Sequence, residues 1–323
     1  MTNRDFKGQL VLITGARGFI GRYLARFLAT RGAQVVGLGH GAWPQEQAQH
    51  WGVTTWINGD IVPANLDMLA RNVGFPQVIF HLAGGSSVGF SLLAPEEDYR
   101  RSVESTLQLL EWMRSHAPAV RIVLASSAAV YGDGHCRPIT EDAALAPYSP
   151  YGYHKRIAEL LVDSYRLSFG LSTATVRLFS IYGPLLRKQL LWDLCARLQV
   201  APKVLHLDGS GEESRDWLHV EDAAAWLAMA ADHASPTGFV LNGGTGIATR
   251  VRAVADQVCR AWGLAPELRF SGHSRPGDPA YLVADPGVSQ GLNLTPTIDW
   301  RTGIQQYVDW FRQTLGDRAT LSD

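Results

Sequence analysis

The amino-acid sequence predicts an α/β protein built on a doubly wound parallel sheet, with a smaller α/β lobe in its C-terminal part. Over about the first 180 residues, short apolar segments alternate with amphipathic helical patterns. A glycine-rich turn, TGARGFIG, separates the first apolar segment from the first helical one. Later in the chain this alternation ends, and prolines, glycines and tryptophans are spread through loops between further helical patterns.

Apolar runs and helical spacing predict the individual elements. Strands are predicted at 10–13, 34–38, 54–57, 78–82, 121–125 and 173–178. Helices are predicted after the glycine turn, at about 99–115 and 151–168, and at 187–198, 220–232, 249–262 and 301–315. We therefore expect a first domain over residues 1–180, with return segments near 213–244, and a second lobe mainly over 181–323. Ligands of open α/β sheets bind outside the carboxyl ends of the strands, so the lobe is expected to close a cleft there.

The first strand, turn and helix predict a dinucleotide site. Leu10–Ile13 is an apolar run, and glycines follow at Gly15, Gly18 and Gly21. Such glycines let the backbone approach a pyrophosphate, and the helix N-terminus supplies free N–H groups and a positive dipole end. The alternative is a glycine turn used only for packing. In this strand-to-helix context we expect a Rossmann-type sheet that binds a nucleotide.

Composition excludes several classes of function. The chain has 323 residues, of which 46% are hydrophobic and 18% charged, and its net charge is −1. This balance argues against a nucleic-acid partner, although a few arginines suffice for an anionic substrate. The three cysteines form no CxxC pair, so neither a disulfide framework nor a metal site is expected. The polar N-terminus and the absence of a long apolar run favour a cytoplasmic protein with no membrane partner.

Tyr151 and Lys155 are four residues apart, hence on one face of a predicted helix. A neighbouring ammonium stabilises a phenolate and lowers the tyrosine pKa, which suits proton exchange with a carbinol. Ser127, at the end of the fifth predicted strand, can hydrogen-bond the same substrate oxygen. The alternative is a surface pair that only supports the helix. Together with the glycine turn, these residues favour a hydride-transfer site.

The ordered motifs of the chain resemble the extended short-chain dehydrogenases/reductases, and within them the nucleotide-sugar epimerase/dehydratase family that contains UDP-galactose 4-epimerase. The motifs are TGARGFIG (14–21), GDI (59–61), HLAG (81–84), SSAAVYG (126–132), PYGYHK (150–155), RLFSIYGP (177–184), GSGEESRDWLHVED (209–222), LNGGTG (241–246) and RPGD (275–278). The resemblance covers almost the whole chain and implies an NAD(P) cofactor and a nucleotide-diphosphate sugar.

The resemblance assigns roles to individual residues. NAD(P) is expected to contact Gly15, Arg17, Gly18, Phe19, Ile20, Gly21, His40, Asp60, Ile61, Leu82, Ala83, Gly84, Tyr151 and Lys155. Ser127, Tyr151 and Lys155 are expected to be catalytic, and the substrate to contact Ser86, Ser127, Ser180, Arg215, Arg275 and Asp278. Guanidinium groups suit a pyrophosphate and a carboxylate suits a vicinal diol. Asp216, His219 and Asp222 are expected to be mainly structural.

Departures from the family pattern reduce the number of reactions that the chain is expected to catalyse. Ala128 and Ala129 stand where 4,6-dehydratases carry an acid, which makes a dehydratase an unfavoured interpretation. Ser102 and Ser180 replace two asparagines of the pattern. Ser102 is expected still to donate one hydrogen bond, whereas Ser180 suggests that the substrate sits differently.

A further departure concerns the cofactor. NAD-specific members end the second strand with an acid that binds the adenosine ribose, but here the strand runs into Gly39 and His40. Without that acid, a 2′-phosphate is not repelled, and both Arg17 and His40 can face one. We therefore expect NAD(P), with NADP favoured over NAD. A solvated residue at a helix start is the alternative role for Arg17.

The expected function is C4 epimerisation of a nucleotide sugar through a transient 4-keto intermediate, with Tyr151 as acid and base. The alternative is an NADPH-dependent reductase of 4-keto-6-deoxy sugars, and a more distant one is a non-catalytic NAD(P)-binding sensor. The long helices at about 99–115 and 151–168 resemble those that the family pairs into a four-helix bundle, so a homodimer is expected. The base of the nucleotide and the identity of the sugar stay open at this point.

Overall fold

The computed structural model describes residues 5–273 and 279–319 and has the predicted α/β class. The strands are β1 (Leu10–Thr14), β2 (Gln34–Gly39), β3 (Val53–Asn58), β4 (Val78–His81), β5 (Arg121–Ser127), β6 (Thr173–Leu178), β7 (Ser180–Tyr182), β8 (Val204–Leu207), β9 (Ser214–His219), β10 (Val240–Gly243), β11 (Ala248–Arg250), β12 (Glu267–Phe270) and β13 (Tyr281–Leu282).

The helices alternate with the strands of the first half and dominate the last third. They are α1 (Phe19–Ala29), α2 (Gln45–His50), α3 (Pro63–Val73), α4 (Val88–Leu93), α5 (Pro95–Tyr99), α6 (Ser105–His116), α7 (Pro150–Phe169), α8 (Gln189–Leu198), α9 (Val220–His233), α10 (Val251–Trp262), α11 (Gly287–Gly291) and α12 (Trp300–Ala319). A π-helical turn, Arg100–Glu104, joins α5 to α6, and a 3₁₀ turn, Ala128–Val130, follows β5. The helix predicted at about 99–115 is therefore the second part of a longer helical run with a π turn in it.

Within the described residues, the main sheet has seven parallel strands in the order β10-β6-β5-β4-β1-β2-β3. The chain winds from β1 to one edge through β2 and β3, then crosses over and winds the other way through β4, β5 and β6. Strand β4 ends at His81, one residue before its predicted end, and β5 continues to Ser127, two residues beyond. The edge strand β10 comes from the second half of the chain, inside the predicted return segment.

Both faces of the main sheet are covered, as the apolar run in β1 predicts. Successive side chains of a strand point to opposite faces. Accordingly, Val11 and Ile13 belong to the core cluster under α1 and α9, whereas Leu10 and Leu12 belong to the cluster under α3, α6 and α7. A strand buried on both faces is apolar at every position, which is why its sequence shows no alternation.

The C-terminal lobe has its own core between α8, α10 and α12. Two buried carboxylates, Asp216 in β9 and Asp222 in α9, hold loops of the second half of the chain. Asp216 accepts hydrogen bonds from the backbone N–H groups of Thr245, Gly246 and Ala284 at 2.6–3.1 Å, and Asp222 accepts from Thr297 at 2.6–3.1 Å. The structural roles predicted for these two aspartates are confirmed.

Three structural findings concern membrane spans, metal sites and cysteines, which the composition had raised. No helix in the described part of the chain is long and apolar enough to cross a membrane. Across residues 5–273 and 279–319, no group of three or more His, Cys, Asp and Glu side chains is placed to hold a metal ion. Cys136 is an exposed free thiol, and Cys195 and Cys259 are buried free thiols.

Candidate active site

The glycine turn between β1 and α1 forms a tight cradle at the carboxyl edge of the sheet. Gly15 has a φ of 74°, and a Cβ added there would lie 2.9 Å from the backbone nitrogen of Ala83. A Cβ on Gly21 would lie 2.3 Å from the carbonyl oxygen of Gly15. Only glycine fits at these two positions, and the first turn of α1 leaves its N–H groups directed at the space in front. This cradle fits the pyrophosphate of a dinucleotide.

The loop after β2 lies where the family pattern places the ribose-binding acid. A Cβ on Gly39 would lie 3.2 Å from the ring of Trp56, so a larger residue would press on that indole. The Trp56 Nε1–H donates to the carbonyl oxygen of Gly41 at 3.1 Å, and the Gly41 N–H donates to Asn58 Oδ1 at 2.8 Å. The indole therefore occupies the space behind Gly39 and fixes the loop.

Three polar side chains predicted to contact the cofactor surround this loop. His40 Nε2 and Asp60 Oδ1 are 2.9 Å apart and both side chains are exposed. The Arg17 guanidinium lies against Gly41, where an added Cβ would be 2.4 Å from Nη1. The structure thus brings together the histidine, the aspartate and the arginine that were predicted from separate motifs.

The predicted catalytic pair lies in the first turns of α7. Ser149 caps this helix, since its Oγ accepts from the Gly152 N–H at 3.1 Å, and Pro150 occupies the first helical position. Tyr151 and Lys155 follow one helical turn apart. Lys155 is buried, and its Nζ donates to the carbonyl oxygen of Ala125 at 3.0 Å. This bond holds the lysine against the end of β5.

Ser127, the last residue of β5, faces the same pair. A hydrogen bond with Ser127 lowers the pKa of Tyr151, but burial outweighs it and raises that pKa above its ordinary value. Lys155 Nζ is 6.0 Å from the centre of the Tyr151 ring, and burial lowers the pKa of Lys155 to about 8. The expected lowering of the tyrosine pKa by Lys155 is therefore not observed in the protein alone, because desolvation acts more strongly on the phenol.

A hydrogen-bonded carboxylate–imidazole pair beside Tyr151 and Lys155 was not predicted. Asp98 is fully buried, and its Oδ2 lies 2.6 Å from His154 Nδ1. Its charge raises the pKa of both Tyr151 and Lys155. Asp98 lies in α5 and His154 in α7, so only the packing of these helices brings the two together, and no local sequence signal indicates the pair.

The remaining predicted substrate residues lie on the other side of the cleft. Ser180 begins β7, and Arg215 is a buried residue of β9 whose Nη1 donates to the Ser214 carbonyl oxygen at 3.0 Å. Arg275 and Asp278 lie outside the described residues. Ser102 Oγ accepts a hydrogen bond from the Gly85 N–H at 2.8 Å. The donation expected of Ser102 stays a prediction.

A single cavity of about 1930 Å³ connects these residues. Pockets for one small ligand measure about 300–1,000 Å³, so this cleft has room for two large ligands. Every predicted site residue that the structure describes lines it: Gly15, Arg17, Gly18, Phe19, Ile20, Gly21, His40, Asp60, Ile61, Leu82, Ala83, Gly84, Ser86, Ser127, Tyr151, Lys155, Ser180 and Arg215. The cavity also contains side chains that were not predicted, including Arg187, Lys188 and Trp192.

Comparison with known protein families agrees with this geometry. The sequence model of the NAD dependent epimerase/dehydratase family matches residues 11–244. The chain belongs to this family. A UDP-glucose 4-epimerase of Streptomyces lividans is 30% identical to it over 298 residues, which cover 86% of this chain and 88% of that protein.

Solved structures of similar proteins include ligand complexes. MoeE5 in complex with UDP-glucose and NAD is 31% identical, with a TM-score of 0.82, and the match covers 94% of this chain and 99% of that one. The UDP-glucuronic acid 4-epimerase of Bacillus cereus, in complex with UDP-glucuronic acid and NAD, is 26% identical, with a TM-score of 0.84 and the same coverage. This chain is therefore an enzyme of the epimerase/dehydratase family, with the family's sheet and cleft.

Proposed function

We propose that this chain is an NAD(P)-dependent UDP-sugar 4-epimerase that uses Tyr151 as general acid and base. The observation that carries the proposal is the meeting of Ser127, Tyr151 and Lys155 on one wall of a cavity that also contains the glycine cradle. Ala128 and Ala129 follow Ser127 directly and provide no carboxyl group for water loss. The relatives described as UDP-sugar epimerases support the same substrate class.

Each residue of the wall has a distinct task. Tyr151 removes the proton of the sugar C4 hydroxyl and later returns one to the C4 oxygen, and Ser127 hydrogen-bonds that oxygen in both steps. Lys155, held on the Ala125 carbonyl oxygen, supplies positive charge that favours the phenolate once the site is closed. A bound NAD(P) would supply the hydride acceptor and donor for C4. Gly15, Gly18 and Gly21 are the residues that would hold its pyrophosphate.

The decisive experiment is direct observation of the reaction. The purified enzyme is incubated with UDP-glucose, UDP-galactose or UDP-glucuronate and followed by proton NMR. We expect interconversion of the C4 epimers, and product formed in D₂O without deuterium at C4, because the hydride returns to the carbon it left. If none of these three UDP-sugars is converted to its C4 epimer, the proposal is wrong.

The missing ribose acid favours a second candidate, an NADPH-dependent 4-keto-sugar reductase. A reductase exchanges its cofactor in every turnover, whereas an epimerase regenerates it. Stoichiometric oxidation of NADPH by a UDP-4-keto-6-deoxy sugar would select the reductase, and tightly held NAD⁺ without net consumption would select the epimerase.

We further propose that the cofactor site accepts NADP in preference to NAD, because Gly39 offers no carboxylate and Arg17 lies beside Gly41. Arg17→Ala is expected to weaken NADP⁺ binding on the order of 10-fold relative to NAD⁺, since a charge-assisted hydrogen bond contributes about 1.5 kcal/mol. The ratio of the two dissociation constants is measured by calorimetry, with Arg26→Ala, in α1 beyond the glycine turn, as the control. An unchanged ratio contradicts the role of Arg17.

The proposed assembly is a homodimer through α6 and α7. Tyr153, Leu160 and Leu167 are spaced by seven residues, so they form one stripe on α7, and they are 54%, 49% and 73% exposed. Leu107 on α6 is 40% exposed. We expect a dimer by light scattering at micromolar concentration. Leu160→Lys with Leu167→Lys is expected to produce a monomer, because each leucine contributes about 1.5–3 kcal/mol when buried. A wild-type monomer contradicts this proposal.

A further inference from the structure

The segment from the end of β7 to Gln189, the first residue of α8, is a strained loop on the wall of the cavity. Leu185 has a φ of 76° and Gln189 a φ of 66°, and neither is a glycine. Left-handed backbone at such residues costs free energy and is concentrated at functional sites. Leu185, Arg187, Lys188 and Gln189 all line the cavity. The loop therefore has a conformation that the protein maintains against its intrinsic preference.

Contacts from two helices fix this loop on both sides. The Tyr23 hydroxyl in α1 donates to the Pro184 carbonyl oxygen at 3.2 Å. The Tyr307 hydroxyl in α12 donates to the Leu186 carbonyl oxygen at 2.6 Å, and the Leu186 side chain is buried. The loop is thus positioned before any ligand binds, which is what a recognition element requires.

The loop places one ammonium group next to the catalytic wall. Lys188 Nζ donates to the carbonyl oxygen of Ser86 at 2.8 Å. Ser86 is two residues from Gly84, where an added Cβ would lie 3.2 Å from Lys155 Nζ. Lys188 therefore lies at the end of the cleft where Tyr151 and Lys155 act on the sugar.

The environment of Lys188 favours an anion. Burial lowers its pKa, and no carboxylate among the described residues offsets that shift. An ammonium has three N–H bonds, and the Ser86 carbonyl oxygen accepts from one of them. A partly buried cation with remaining donors on a preformed loop is a site for a negatively charged group of the ligand.

We infer that Lys188 is a specificity residue that binds a carboxylate on the sugar ring, so that the preferred substrates are UDP-hexuronates. This inference rests on the proposed function, because it concerns the sugar end of the same cleft. The phosphate next to the sugar is the other anionic group of the substrate that an ammonium could bind. UDP-glucuronate carries a carboxylate where UDP-glucose carries a hydroxymethyl group, and the two are otherwise identical. Comparing their binding therefore distinguishes a carboxylate contact from a phosphate contact.

The test measures dissociation constants of both UDP-sugars by calorimetry for the wild type, Lys188→Met and Lys188→Arg. We expect Lys188→Met to weaken UDP-glucuronate binding on the order of 10- to 100-fold, because one charged hydrogen bond is lost. UDP-glucose binding is expected to weaken by less than about 3-fold. Lys188→Arg keeps the charge and is expected to retain most of the preference. Lys7→Met, the same substitution outside the cavity, is expected to change neither constant.

Each other outcome overturns the inference. Equal weakening of both ligands assigns Lys188 to the phosphate or to support of the Ser86 loop. Unchanged binding of both ligands means that the ammonium contacts neither. If the wild type binds both sugars equally, the Lys188 inference fails and the proposed function stands. If the wild type binds no UDP-sugar, the proposed function fails and this inference falls with it.

Discussion

Replacement of Tyr151 by phenylalanine is expected to lower kcat by about 10²- to 10⁴-fold, the usual contribution of a general acid or base. The substitution removes one hydroxyl group and keeps the ring that packs on the wall of the cleft. Substrate binding and thermal stability are therefore expected to stay close to those of the wild type. The measurements are kcat for the epimerisation, the dissociation constant of the UDP-sugar and the melting temperature.

The same helix offers a matched control for this experiment. Tyr153 is two residues further along α7 and exposed, so Tyr153→Phe removes an equivalent hydroxyl outside the reaction centre. We expect it to leave kcat unchanged. Wild-type turnover in Tyr151→Phe would contradict the role of Tyr151 as general acid and base.

The second large effect concerns stability. Arg177 in β6 makes a two-bond pair with Glu159 in α7, with Nε–Oε1 and Nη2–Oε2 distances of 3.1 and 3.0 Å, and both side chains are buried. Ser126 also donates to Glu159 at 2.5 Å, and the Arg177 Nη1–H donates to the Tyr131 hydroxyl at 2.9 Å. Glu159→Gln is expected to lower the free energy of unfolding by about 3–5 kcal/mol, because it leaves the Arg177 charge buried without its partner.

A surface pair of the same geometry provides the control. Glu267 and Arg269 also form two bonds, at 2.8 and 2.9 Å, but both side chains are exposed. Glu267→Gln is expected to leave the midpoint of urea unfolding where it is in the wild type, since water solvates the arginine. Equal midpoints for the Glu159 and Glu267 variants would show that the buried pair does not stabilise the fold.

The parts of the fold that depend on local sequence could be predicted. The apolar run of β1, the glycines after it and the helical spacing from Tyr151 onward each determine the structure over a few residues, and the structure has the predicted element at each place. The order of motifs then located the cleft, because parallel strands end at the same edge of a sheet.

The parts of the fold that depend on packing between distant segments could not be predicted from the sequence. The Asp98–His154 pair joins two helices, and the π-helical turn at Arg100–Glu104 has no apolar periodicity that would indicate it. The conformation of the loop before α8 requires Tyr23 and Tyr307, which lie far away in the chain. The rise in the Tyr151 pKa was not predicted, because the four-residue spacing indicates that Lys155 is near but not that Tyr151 is buried.

Tyr151, Lys155 and Glu159 are spaced by four residues, so one stripe of α7 carries both the proposed catalytic pair and the anchor to β6. Opening the start of this helix breaks bonds to the sheet core as well. We therefore expect Lys155 and Glu159 to belong to the same cooperative unit as β6, with amide hydrogens that exchange slowly with solvent. We then expect substrate entry and product release to leave the start of α7 in place.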